Sequence, residues 1–386
     1  MNLAIPNISL PTQRYYRIAV SVFFFIQGLT FASWASRIPD IKNKLQLSDA
    51  GLGGVLLALP VGQLCGMALS GYLVSRFSSK KMLTIGAILY PASLVLVGTA
   101  GAVWQLVLFL YIFGLCANLS NISVNTQGVG VERLYRRSIM ASFHGLWSLA
   151  GFVGGLLSAL VVRGNIDPFR HFSMVLALTT LLWLVAHRYT LPRDAGIRGN
   201  RPIFVKPDSA IFKLGLIAFA SMVCEGAMFD WSGIYFENVV EAPKNLIRLG
   251  YIAFMFTMAA GRFSADWMVN RFGVQRIIQA SGLIILTGLL LAVIFPYLPT
   301  ATAGFLLVGV GVSSVVPMVY SLAGRSQTML PGVALAAVSS IGFFGFLLGP
   351  PLIGFVAQVA SLRWSFVIIG CLGLGTTILA GKIKVS

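Results

Sequence analysis

Glu225 is the one carboxylate near the middle of a long apolar run in this 386-residue sequence, where Cys224, Gly226 and Ala227 flank it. A charge held at the centre of a bilayer costs at least roughly 2.5–3.5 kcal/mol, so an ionisable residue there is a functional candidate by default. Desolvation works against the charged form of a carboxyl group, which suits a residue that must take up and release a proton. An acid that ties two helices together by a hydrogen bond is the alternative reading of the same position. Asp230 lies five residues further on, roughly 140° around a helix, and so on another face. Beside Trp231 it reads as an outer-gate or substrate contact, or as a solvated acid. His144 can titrate near neutral pH, which fits a proton relay as well as a packing hydrogen bond.

A second set of residues is polar but uncharged. Asn118, Asn121 and Asn125 fall at i, i+3 and i+7 and form one stripe. Lipid cannot satisfy their amides, so the stripe must face protein or a watery cavity. Gln27 and Gln63 add hydrogen-bonding groups within two other apolar runs. Trp34, Trp147 and Trp231 could stack on a solute ring, although aromatics near span ends also serve as interface anchors. Such a lining suits a polar, neutral, sugar-like small molecule. Glu132, with Arg133, Arg136 and Arg137, and the i, i+4 pair Arg262 and Asp266 read as latches between helix ends. Arg262 is also deep enough to pair with Glu225 across the interface between the two halves.

Long helices in a membrane are needed to hold these groups. Hydrophobic residues make up 57% of the chain, charged residues 10%, and the mean hydropathy is +0.86; a soluble chain carries about 25% charged residues. Apolar spans recur at 14–36, 49–75, 80–101, 104–131, 137–163, 168–190, 209–237, 246–271, 275–295, 300–325, 331–360 and 362–382. Each approaches the roughly 20 residues that cross the hydrocarbon. The net charge of +17 does not point to nucleic acid, because the basic residues punctuate the loops. With both termini on one side, that side holds twenty of the Lys and Arg and the other eight, which places both termini in the cytoplasm. The four cysteines lie singly in different spans, and no metal cluster, phosphate loop or nucleotide fingerprint is present, so no cofactor or metal is expected.

Residues 191–208 form the one long polar stretch, rich in Arg, Pro and Gly. It is expected to link an N-terminal six-helix bundle, 1–190, to a C-terminal one, 209–386. The halves read as a repeat: at an offset of 195, Arg76-Phe77 falls on Arg271-Phe272 and Gly66 on Gly261. A parallel duplication of six helices builds one large transporter class.

Gly71-Tyr72-Leu73-Val74-Ser75-Arg76-Phe77-Ser78-Ser79-Lys80-Lys81 resembles the major facilitator superfamily signature between the second and third helices. Ser75 replaces the family's Asp and Ser78 its Gly. Asn270-Arg271-Phe272-Gly273 is a second, degraded copy. Further segments are similar to the bacterial YbjJ-like transporters, distant relatives of fucose permeases. These are Phe31-Ala32-Ser33-Trp34-Ala35-Ser36-Arg37, Asn125-Thr126-Gln127-Gly128, Phe143-His144-Gly145-Leu146-Trp147-Ser148, Glu225-Gly226 with Asp230-Trp231, Gly261-Arg262-Phe263 and Gly349-Pro350-Pro351. The resemblance implies a major facilitator fold, twelve transmembrane helices in two pseudo-symmetric bundles. It also implies a monomer in the bacterial inner membrane, with Arg76 and Arg271 in gating positions. On this reading the chain moves a small polar solute by alternating access, coupled to protons. Efflux of amphiphilic compounds and a transport-inactive sensor are the alternatives.

Overall fold

The computed structural model describes residues 10–135, 139–192, 207–326, 329 and 331–383. Most of the expected linker and the pair Arg136 and Arg137 lie outside the described residues. The elements are α1 (Leu10–Ala35), α2 (Ile38–Lys44), α3 (Asp49–Leu56), α4 (Ala58–Phe77), α5 (Ser79–Thr99), α6 (Val103–Tyr135), α7 (Met140–Arg163) and α8 (Pro168–Ala186), followed by α9 (Ser209–Asn238), α10 (Leu249–Phe272), α11 (Val274–Ile294), α12 (Leu298–Ser313), α13 (Val315–Gly324), α14 (Pro331–Val359) and α15 (Leu362–Gly381). No strand occurs among the described residues.

Eleven segments of the described residues are long and apolar enough to cross a membrane. They run together α1 with α2, α3 with α4, and α12 with α13. The remaining long helix, α10, has 24 residues, and its charged Arg262 and Arg271 dilute its apolar character. The architecture is all-α and multi-pass, and the helix ends fall close to the spans read from hydropathy.

Side-chain caps fix several helix starts by satisfying backbone N–H groups that lack an intrahelical acceptor. Ser48 Oγ accepts from the Gly51 amide at 3.1 Å, Asp167 Oδ1 from the Arg170 amide at 3.1 Å, and Asp208 Oδ1 from the Ile211 amide at 2.8 Å. Asp167 lies in a loop outside the spans, and the Arg170 amide holds its carboxyl below the usual range.

The chain forms two compact units. The first comprises Met1–Trp34 and Ala58–Ile197. Its core gathers Phe23, Phe24, Leu83, Val124, Val131 and Phe143. The second comprises Ala35–Leu57 and Arg198–Ser386, with a core around Ile217, Ala218, Met318, Val319 and Val338. The segment carrying α2 and α3 thus packs with the later helices: Gly53 of α3 lies against Pro350 and Gly354 of α14, and Gly233 of α9 against Pro39.

Within each unit the same close approach recurs. A Cβ added to Gly114 of α6 would overlap the Leu59 carbonyl oxygen of α4; one added to Gly309 of α12 would overlap the Phe254 carbonyl oxygen of α10. Both glycines and both carbonyls are separated by 195 residues, the offset that aligns Arg76 with Arg271. In both cases glycine lets two backbones meet where a side chain would hold them apart.

Candidate functional site

In the second unit, α9 carries Glu225 at mid-helix, with 7% of the residue exposed. Arg262 stands near the middle of α10 and donates from Nη2 to Glu225 Oε1 at 3.1 Å. The two side chains are 15% and 9% exposed, Arg262 and Glu225 respectively. Tyr320 of α13 lies within electrostatic reach of Glu225 and in hydrogen-bonding contact with Ser339 of α14. Four helices thus bring a carboxylate, a guanidinium and two hydroxyls together at membrane depth. The Arg262 bond to Glu225 is long-range in sequence, and the Asp266 side chain, the partner suggested by i, i+4 spacing, lies outside the described residues. Arg262 and Glu225 also belong to one unit, so the pair does not bridge the two halves.

Asp230 is partly exposed, whereas Trp231 is fully buried. Trp231 Nε1 and the Ser221 and Ser232 hydroxyls on the same helix have no hydrogen-bond partner among the described residues.

A second ionic group ties α2 into this unit. Asp40 is bonded by Arg37 Nη1 at 3.2 Å and by Arg248, the residue before α10. Lys42 pairs with Asp49 at 2.7 Å, and Asn43 donates to Glu237 of α9 at 2.7 Å. Sequence reading passed over Asp40, although Arg37 three residues before it is a local signal.

The first unit holds the uncharged set. Asn118 of α6 is buried, and its Oδ1 has no partner among the described residues. Asn121 is exposed, and Asn125, partly buried, donates to its Oδ1 and to its carbonyl oxygen, both at 2.8 Å. The stripe is therefore partly self-satisfied. Gln27 spends its amide on Ser120, at 2.9 Å, tying α1 to α6, while Gln63 is half-buried. Trp34 is buried, and Trp147 lies tilted against Phe31 at 5.8 Å. His144 is exposed, edge-on to Phe24. Gln127, which no spacing in the sequence singles out, is a structural hub: its amide donates to Ser79 Oγ at 2.8 Å and to the Leu191 carbonyl at 3.1 Å, and its oxygen accepts from the Leu191 amide.

The latch positions divide. Glu132 Oε2 accepts from the Ile139 and Met140 amides at 2.7 and 2.9 Å, so it clasps the end of α6 to the start of α7. Arg76 is exposed and turns onto its own helix, donating to the Tyr72 hydroxyl at 3.1 Å. Arg271 is exposed.

Residues 19–329 match the Major Facilitator Superfamily. The chain belongs to that superfamily. A similar protein is an uncharacterized MFS-type transporter of Yersinia pestis, 32% identical over 359 residues, which are 93% of this chain and 92% of the relative. The membrane protein MosC of Rhizobium meliloti is 32% identical over 368 residues, 94% and 89% of the two chains. Among solved structures, a variant of the nucleoside transporter NupG aligns with a TM-score of 0.78 at 12% identity, covering 96% of this chain and 100% of that one. That likeness establishes the major facilitator fold. This superfamily member is a multi-pass membrane transporter.

Proposed function

We propose that this transporter is a proton-coupled symporter that moves a small polar solute across the bacterial inner membrane by alternating access, with both termini in the cytoplasm. The Glu225–Arg262 pair carries this reading. Holding two charges near the middle of two long apolar helices is expensive, which makes the pair a functional candidate. Glu225 is the group that takes up the proton. Protonation ends the ionic attraction to Arg262 and changes how α9 and α10 are held together, which gives protonation a structural consequence. The polar stripe of Asn118, Asn121 and Asn125 supplies hydrogen-bonding groups for a solute, with Asn118 Oδ1 the acceptor left over. The arginine-rich loops support the orientation, since the excess of Lys and Arg marks the cytoplasmic face.

The test is uptake into proteoliposomes of a solute chosen by thermal-shift screening over sugars, nucleosides, amino acids and organic acids. An imposed inside-alkaline pH gradient should drive accumulation, and a protonophore should abolish it. Uptake that only equilibrates, with or without the gradient, would contradict proton symport.

A further inference from the structure

We infer that a pocket between α10, α11 and α12 binds an anionic phospholipid, with an acyl chain in the pocket and the phosphate on Arg271 and Arg276. The site is independent of proton coupling. Its origin is a helix break. Up to Ser313, α12 packs closely on both neighbours: a Cβ on Gly261 of α10 would overlap the Ser313 side chain, and one on Gly311 of α12 would crowd the Ser281 carbonyl of α11. At Ser314 the chain enters α13, which packs chiefly on α9 and α14. The end of α10 and the start of α11 lose that neighbour, and a cavity of about 260 Å³ lies there. Met268, Ile277, Ile284 and Val310 line it, together with exposed Phe272 and Arg276. An apolar cavity of this kind takes apolar matter rather than water.

The internal repeat shows why the arginines here are available. Ser78 and Gly273, equivalent at the offset of 195, make the same turn, with φ and ψ of 78° and 150° in one and 82° and 149° in the other. Arg271 and Arg276 then answer to Arg76 and Lys81. In the first unit Arg76 donates to the Tyr72 hydroxyl at 3.1 Å. The residue answering to Tyr72 is Trp267, whose indole is a donor only. Arg271 is therefore denied that acceptor. Both Arg271 and Arg276 are exposed, and neither joins an ion pair among the described residues. Trp267 is exposed and edge-on to Phe272 at 6.1 Å, an aromatic of the type that sits at headgroup level.

The surrounding charge selects the head group. Ile211, Ile277, Ala323, Ala334 and Ala380 share one core, so the helix ends bearing Lys213, Arg325 and Lys382 gather with those bearing Arg271 and Arg276. Asp208 is at the same end, with its Oδ1 on the Ile211 amide. Asp266, whose side chain lies outside the described residues, adds one carboxylate against these five cations. Basic pockets between transmembrane helices suit anionic head groups, and an arginine fork matches phosphate geometry. A zwitterionic head group brings its own cation to this positive end; an anionic one does not.

Native mass spectrometry of the full chain in detergent, titrated with phosphatidylglycerol or with phosphatidylcholine of the same acyl chains, tests this. Wild type should hold one phosphatidylglycerol more tightly than any phosphatidylcholine. Arg271→Gln with Arg276→Gln should weaken that first phosphatidylglycerol roughly thirtyfold. Arg76→Gln with Lys81→Gln removes the same charge at the equivalent positions and should leave it near wild type. Ala280 also lines the cavity, so Ala280→Trp fills the space while keeping both arginines, and it too should weaken phosphatidylglycerol. Should either the double variant or Ala280→Trp not be recovered folded, Arg276→Gln against Lys81→Gln gives the comparison, at roughly fivefold. Equal affinity for the two lipids overturns the site, as does equal behaviour of the two double variants. Wild-type binding by Ala280→Trp overturns it as well, because the chain then lies elsewhere.

Discussion

Asp40 and Arg248, 208 residues apart in sequence, are joined by an ion pair in which the arginine side chain is 3% exposed and the aspartate 32%. Arg37, also 3% exposed, bonds the same carboxylate. One acid thus neutralises two buried guanidiniums and pins the α2 segment to the entrance of α10.

Asp40→Asn should therefore do more than remove a surface charge. It removes the carboxylate charge that both buried guanidiniums share, and a cost of roughly 1–3 kcal/mol is expected. Hydrogen exchange of the amides in residues 38–44 should speed up, with a lower unfolding midpoint. Glu237→Gln, at the exposed Asn43 contact, should change both little. Equal behaviour of the two variants would show that Asp40 is not the pin.

Gly309→Ala places a methyl group on the Phe254 carbonyl. Backbone cannot yield as a flexible side chain does, so α10 and α12 must separate, at about 1–3 kcal/mol. Gly54→Ala is the control, because a Cβ there meets nothing within 4 Å; the change should be neutral or gain up to about 1 kcal/mol from helix propensity. Thermal unfolding of the two variants separates close approach from propensity.

Glu132→Ala removes the acceptor for two amides at the start of α7. A loss of about 1–2 kcal/mol is expected, with exchange faster at Ile139 and Met140 than elsewhere in the helix. Glu132→Gln keeps one oxygen acceptor and should fall between wild type and Glu132→Ala.

Length and hydropathy were enough to place the helices, because crossing hydrocarbon imposes a minimum apolar run on each. They were weakest at α10, where charged residues interrupt the run. Arg76-Phe77 over Arg271-Phe272, with Gly66 over Gly261, pointed to an internal repeat, and Gly114 and Gly309 make matching close approaches at the same offset. Partnerships were less legible. The spacing of Arg262 and Asp266 is a local signal, whereas the bond from Arg262 to Glu225 joins residues 37 apart on successive helices. Gln27 has the composition of a cavity residue but is occupied by Ser120, and Gln127 joins three segments that no local pattern connects. Asp40 escaped because its partner Arg248 lies in the other half of the sequence. Such pairings depend on which helices pack together, and periodicity alone does not encode that.

The central claim, that Glu225 couples solute movement to a proton, is tested most directly by Glu225→Gln in proteoliposomes. With a one-proton symporter, a pH gradient drives accumulation of up to roughly tenfold per pH unit. The variant should lose it, its ratio falling to about one, while solute counterflow without a gradient survives. Gradient-driven accumulation equal to wild type in Glu225→Gln would contradict the account.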